Sequence, residues 1–275
     1  MVEKDISGLF YSVDLRLIFV CAIALFFLVF EGGFRFGRLM QPKADESVRT
    51  WITTIDTAIL GVLALLLGFT FSMSLSRFDL RKELVLAETN AIGTTYLRAQ
   101  LLPEPCVTEI SDLLRQYVGI RLEAAQQPGK LREAIVKSEQ IQNQLWSRAI
   151  DISKDNRVSS PAIDSLFLSS LNEMIDLHAK RLAAFENRVP QIVLLLLFIC
   201  GAMTVLVTGY GCGLSERRNL IPAAMMSVIL VMVILVIMDL DRPGQGFIRV
   251  SQQSLIRLQQ SLNTGPAAMP ASGAK

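Results

Sequence analysis

The 275-residue chain is 51% hydrophobic and 19% charged, too apolar for an ordinary water-soluble domain and too charged for one lying wholly in lipid. Its net charge of +2, with no long basic run, excludes the electrostatic footprint of a nucleic-acid binder. The 4 cysteines include no C-x-x-C pair, so neither a zinc site nor a dithiol motif is expected, and they read as small buried hydrophobes.

A bilayer core of about 30 Å takes roughly 20 apolar residues in a helix to cross. The first uncharged run, 17–30, reaches that length only if Arg16 and Glu31 snorkel to the two interfaces, which gives a span of about 15–33. Glu3, Lys4, Asp5 and Asp14 supply no basic leader, and Glu31-Gly32-Gly33-Phe34 is no A-x-A cleavage site. An uncleaved span is therefore expected rather than a signal peptide. The second span, about 55–76, contains an uncharged stretch between Asp56 and Arg77.

Past Arg77 the helical pattern meets no breaker until Leu102, where Pro103-Glu104-Pro105 stops it, so the second span is expected to continue into water as one long helix. Val107, Ile110, Leu114, Tyr117, Val118 and Leu122 then form an apolar stripe at helical spacing, closed by Pro128-Gly129. A further helix is expected over 131–152. After a loop at 154–160, Ser160-Pro161 reads as an N-cap with proline in the first turn. The helix it opens presents Ile163, Leu166, Phe167, Leu171, Met174, Ile175, His178, Leu182 and Phe185 and runs toward a third span at Pro190, so two membrane helices are expected to extend into the same aqueous bundle.

That third span, about 190–211, has Gly209, Gly211 and Gly213 loosening its end. The fourth, about 220–239, follows Arg217-Arg218, holds Pro222 in its first turn and is stopped by Asp239-Leu240-Asp241-Arg242-Pro243. The organisation expected is all-α and polytopic: 1–76 with two spans, an aqueous helical region 77–188, two spans in 189–241, and a C-terminal helix with a disordered tail in 242–275. Four crossings put both termini and the aqueous region on one side. The basic residues flanking the spans, Arg77 to Arg257 on that side against Arg35 to Arg218 on the other, are too evenly divided to name it.

His178 is the only histidine, and it falls on an apolar stripe without a nucleophile elbow, P-loop or HExxH beside it, so it reads as a packed residue. Glu83 and Glu88 read as charges on a solvated helix, as does the mixture of acids and bases through 77–188. No catalytic set, metal site or cofactor is expected. On the second span, Gly61, Leu65, Gly68, Phe69, Ser72 and Ser76 fall within roughly 100° of arc at 100° per residue. Two readings stand for that stripe. Small residues let membrane helices pack closely. Alternatively, Leu65 and Phe69 form an apolar constriction of a pore, with Ser72 and Ser76 meeting hydrated ions beyond it.

Leu67-Gly68-Phe69, seven residues, then Arg77-Phe78 resembles the second transmembrane helix of bestrophins, which carry L-G-F, seven residues, R-W. The string GFTFSMSLSRFDLRKELVLAETNAIGTTYLRAQLLP at 68–103 and DLDRPGQGFIRVSQQSL at 239–255 resemble the bacterial bestrophin-like domain family more closely. Gly68, Arg77, Glu88, Asn90, Asp241, Arg242 and Pro243 carry that motif. The resemblance implies a pentamer of four-span subunits in the bacterial inner (plasma) membrane, with cytoplasmic termini, an axial pore lined by the second span, and conduction of small inorganic anions such as chloride. It places the neck at Gly61, Leu65 and Phe69, with Gly61 smaller than the residue expected there. Only Asp239 and Asp241 stand where calcium-gated bestrophins carry an acidic cluster. The competing expectation is a non-conducting scaffold or sensor whose aqueous helices bind a protein partner.

Overall fold

A computed structural model describes residues 13–43, 45–154, 160–215, 220–244 and 246–264. The expected loop at 154–160, the Arg217-Arg218 pair and the tail from Gly265 fall wholly or mostly outside these. Every long element among the described residues is a helix: α1 (Leu15–Met40), α2 (Glu46–Ala99), α3 (Cys106–Gln126), α4 (Leu131–Lys154), α5 (Pro161–Glu186), α6 (Gln191–Leu214), α7 (Leu220–Leu240) and α8 (Gln253–Thr264). Of these, α1, α2, α6 and α7 contain segments long and apolar enough to cross a membrane. Local signals explain the boundaries. Asp14 caps α1 by accepting from the Arg16 amide at 2.9 Å, and Ser160 caps α5 by accepting from the Ile163 amide at 3.4 Å.

The chain divides into two units, Met1–Phe78 with Arg188–Ile248, and Asp79–Asn187 with Arg249–Lys275. In the first, Phe26 and Phe30 of α1, Leu63 of α2, Leu194, Leu197 and Val205 of α6, and Val231 and Ile234 of α7 make the core. In the second, the core joins Ile92 of α2, Leu114 and Tyr117 of α3, Leu145 of α4, Phe167 and Met174 of α5, and Leu255 and Leu262 of α8. Of the stripe positions read from the sequence, Ile110, Leu114, Tyr117, Val118 and Leu122 on α3 and Phe167, Leu171, Met174 and His178 on α5 are buried there, whereas Val107 is half-buried and Leu166 is exposed.

Three expectations change. The path from α5 into the third span is not one helix: Asn187 to Pro190 are non-helical, because Pro190 has no amide hydrogen to continue the ladder and restricts the residue before it. The cysteines are not buried: Cys21 is exposed and Cys106, Cys200 and Cys212 are half-buried, and for Cys21, Cys200 and Cys212 the reason is that an apolar position on a membrane helix need not face protein. Gly209 and Gly213 do not loosen α6. They lie inside the helix against α1, where a Cβ on Gly209 would strike the Phe30 carbonyl and one on Gly213 the Phe34 carbonyl.

Gly33 of α1 abuts the Leu206 carbonyl and Gly37 that of Tyr210 in the same way. The pairings advance together along both helices, so α1 and α6 run parallel with their backbones in contact. Any side chain larger than hydrogen must separate them. Gly209→Leu is expected to destabilise the protein by about 1–3 kcal/mol, the usual cost of overpacking, read as a lowered Tm in detergent. Gly32, with open space around its would-be Cβ, gives the control: Gly32→Ala should leave Tm unchanged or raise it.

Candidate functional site

On α2 the stripe read from the sequence faces outward along its length. Gly61, Leu65, Gly68, Phe69, Ser72 and Ser76 are all exposed, Leu65 at 58% and Phe69 at 67%. The other side of the same helix holds it to the first unit, with Leu63, Thr70 and Ser74 at 1%, 3% and 0% exposure. A Cβ on Gly61 or Gly68 would meet nothing within 4 Å. Two large apolar side chains one turn apart thus stand on an uncovered face, followed by two hydroxyls.

The motif residues Arg77, Asp241 and Arg242 come together at one end of the spans. Asp241 is fully buried, and both its oxygens accept from the Val189 amide, at 3.0 and 2.9 Å, just before α6 begins. Arg77 of α2 places a guanidinium nitrogen 4.0 Å from the same carboxylate. Arg242 donates to the Val13 carbonyl at 2.9 Å, beside the start of α1. Asp239, two residues earlier, accepts from the Phe247 and Ile248 amides, each at 2.8 Å. One short acidic and basic run therefore ties the start of α1, the middle of α2, the start of α6 and the end of α7. Pro243 and Gly244 turn the chain after it, Gly244 at φ 79°, a conformation glycine adopts without strain.

Glu88, also a motif residue, lies in the second unit, and it corrects the expectation of a solvated charge. Its side chain is fully buried. It accepts from the Tyr117 hydroxyl at 2.7 Å and the Arg121 guanidinium at 3.3 Å, and it pairs with Arg181. Tyr117 gives its single hydrogen to Glu88. Its oxygen is then free to accept from Gln142 at 3.3 Å and from His178 Nδ1 at 3.1 Å, which places the imidazole proton on Nδ1. Arg181 reaches on to Gln252 Oε1 at 3.1 Å. Glu83 and Asn90 are exposed, and Asn90 takes no part. His178 is the packed residue the sequence indicated.

Burial acts to raise the Glu88 carboxyl, but the contact with His178 and the charges of Arg121 and Arg181 outweigh it and hold the group well below the usual carboxylate range. Burial, with the Glu88 charge beside it, pushes the Tyr117 hydroxyl up. A carboxylate enclosed in this way is out of reach of a substrate. It works by holding four helices through Glu88, Tyr117, Gln142 and Arg181.

Tyr117 reads from the sequence only as a stripe residue, and Arg121, Gln142 and Arg181 carry no role there, although a signal existed. Glu88 stands between Val85 and Ile92 on the apolar face of α2, Arg121 beside Val118 and Leu122 on that of α3, and Arg181 one turn beyond His178 on α5. A charge on a buried stripe needs a partner on another stripe. Three such misfits, one acidic and two basic, pointed to one another.

Residues 21–255 match the Bestrophin-like domain. The chain belongs to the Bestrophin-like domain family. No curated protein matches its sequence significantly. Among solved structures, a mutated form of a bacterial bestrophin homologue from Klebsiella pneumoniae is similar at 13% identity and a TM-score of 0.70, over 92% of this chain and 98% of that one. A second form of that homologue has 16% identity and a TM-score of 0.60, over 86% and 98%. A crystal structure of a membrane protein has 14% identity and a TM-score of 0.68, over 92% and 99%. At such identities the likeness establishes the bestrophin fold. With its four candidate spans, this bestrophin-like chain is an integral membrane protein.

Removing the buried charge tests the second unit. Glu88→Gln leaves Arg121 and Arg181 without a counter-ion and is expected to cost about 3–5 kcal/mol, read by thermal unfolding. In the parent, the lowered Glu88 pKa fixes the sign of the pH dependence. Its contribution is complete above the unfolded carboxyl value of about 4.3 and declines below it. It is lost as pH falls through the folded value. A Tm profile of parent against Glu88→Gln should converge only in strong acid.

Proposed function

We propose that the chain is the subunit of an oligomeric ion channel, with the exposed stripe of α2 lining an axial pore. One observation carries this reading: Leu65 and Phe69 stand on an uncovered face while the opposite face of the same span is packed. An apolar pair of this kind is costly in bulk water and fits either lipid or other copies of the chain. It is accommodated if several copies surround an axis, where stacked Leu65 and Phe69 rings form a constriction that gates by dewetting and Ser72 and Ser76 meet ions beyond it. Gly61, a turn before Leu65, widens that end. Family membership supports a pentamer in the bacterial inner membrane, with cytoplasmic termini and an anion as the permeant ion. The neutral hydroxyls of Ser72 and Ser76 can donate to such an anion. No reaction is assigned, since the titratable groups brought together are buried as structural ties.

Gly61 and Gly68 on the same face favour a second reading, in which the stripe only packs against neighbouring helices. The two readings separate on one variant. Both side chains are exposed within the subunit, so Leu65→Ala with Phe69→Ala should leave the folded subunit intact. Under the channel reading, purified protein in liposomes conducts, and the double variant conducts more at unchanged stoichiometry. Under the packing reading, the assembly falls to a monomer or dimer. No flux from verified, inserted parent protein rejects the channel.

A further inference from the structure

The segment 239–248 closes the span ends, but it also builds a surface that the channel reading does not use. Both carboxylate oxygens of Asp239 hold backbone amides, those of Phe247 and Ile248 at 2.8 Å. Gly246 lies so close against Asp239 that a Cβ there would strike its carboxylate. The loop is thereby pinned, and its two apolar side chains are turned outward, Phe247 at 73% exposure and Ile248 at 39%. They form one wall of a groove of about 420 Å³, whose other walls are Phe19 and Val20 of α1 and Val236 of α7. These belong to two membrane-spanning helices. The groove therefore opens where α1 begins and α7 ends, at one edge of the hydrocarbon layer.

Its polar rim is a cation. Arg16 lines the groove with its guanidinium carbon 5.9 Å from the centre of the Phe247 ring, and among the described residues it makes no ion pair. The neighbouring acid, Asp239, is committed to two amides. An apolar slot running from the interface into the membrane, with one uncompensated guanidinium at its mouth, complements a phosphate carried on an acyl chain. We infer that this groove is a binding site for an anionic phospholipid, with the phosphate on Arg16 and an acyl chain along Phe19, Val20, Val236 and the pinned Phe247. The inference rests on the membrane fold and not on conduction.

The test is lipid retention by the full-length protein in nanodiscs of phosphatidylcholine with or without phosphatidylglycerol, read by native mass spectrometry and Tm. The parent should retain phosphatidylglycerol about five-fold over phosphatidylcholine, the advantage of one interfacial cation, and gain Tm from it. Arg16→Gln should lose the preference while still holding lipid. Val20→Trp, at a residue 62% exposed and so outside the core, should fill the slot and lower retention of both. Equal retention of the two lipids by the parent overturns the proposal, as does an undiminished preference in Arg16→Gln. A Val20→Trp variant that changes subunit number while keeping its lipid also overturns it, since the groove is then a contact between copies.

Discussion

Asp241 is a charge removed from water at the ends of the membrane helices. A carboxylate there is tolerable only where a donor or a counter-charge meets it, and the Val189 amide supplies the first and the Arg77 guanidinium, 4.0 Å away, the second. The consequence reaches beyond one residue. A span that is apolar on every side has no amphipathic reason to turn one face inward, so polar ties must set its rotation. Arg77, drawn toward Asp241, fixes the register of α2 and with it which side chains are left outward. Leu65 and Phe69 follow as the uncovered pair.

The second unit is organised on the same physics with different partners. Glu88 is enclosed by Arg121, Arg181 and the Tyr117 hydroxyl, with His178 and Gln142 completing the shell. Buried ion pairs of this kind contribute little net stability compared with apolar side chains of the same volume. What they supply is discrimination, because the donors of α3, α4 and α5 reach Glu88 and Tyr117 together only when the four helices stand in this mutual arrangement. Helices whose apolar stripes alone would tolerate sliding by a turn are held to a single register.

Glycine serves two opposite ends in the first unit. Gly33, Gly37, Gly209 and Gly213 bring the backbones of α1 and α6 together, with each missing Cβ replaced by a neighbouring carbonyl. Gly61 and Gly68 face open space on α2. The first set makes a rigid pair of spans. The second leaves a face uncovered by the chain itself.

The sequence by itself determined what depends on one residue type or on spacing along one helix. Uncharged runs, the first of them lengthened by snorkelling ends, marked the spans, the prolines marked helix ends, and Ser160-Pro161 marked the start of α5. The motif at 68–103 and 239–255 carried the family. Tertiary structure decided what depends on two helices at once. Spacing shows that Glu88 shares a face with Val85 and Ile92, but not that Arg121 and Arg181 lie opposite, so a buried carboxylate read as a solvated one. Likewise, Gly209 and Gly213 have the same low helix propensity whether they fray an end or admit a neighbour. Only the carbonyls of Phe30 and Phe34 settle which, because a missing side chain acquires its meaning from the atom that takes its place.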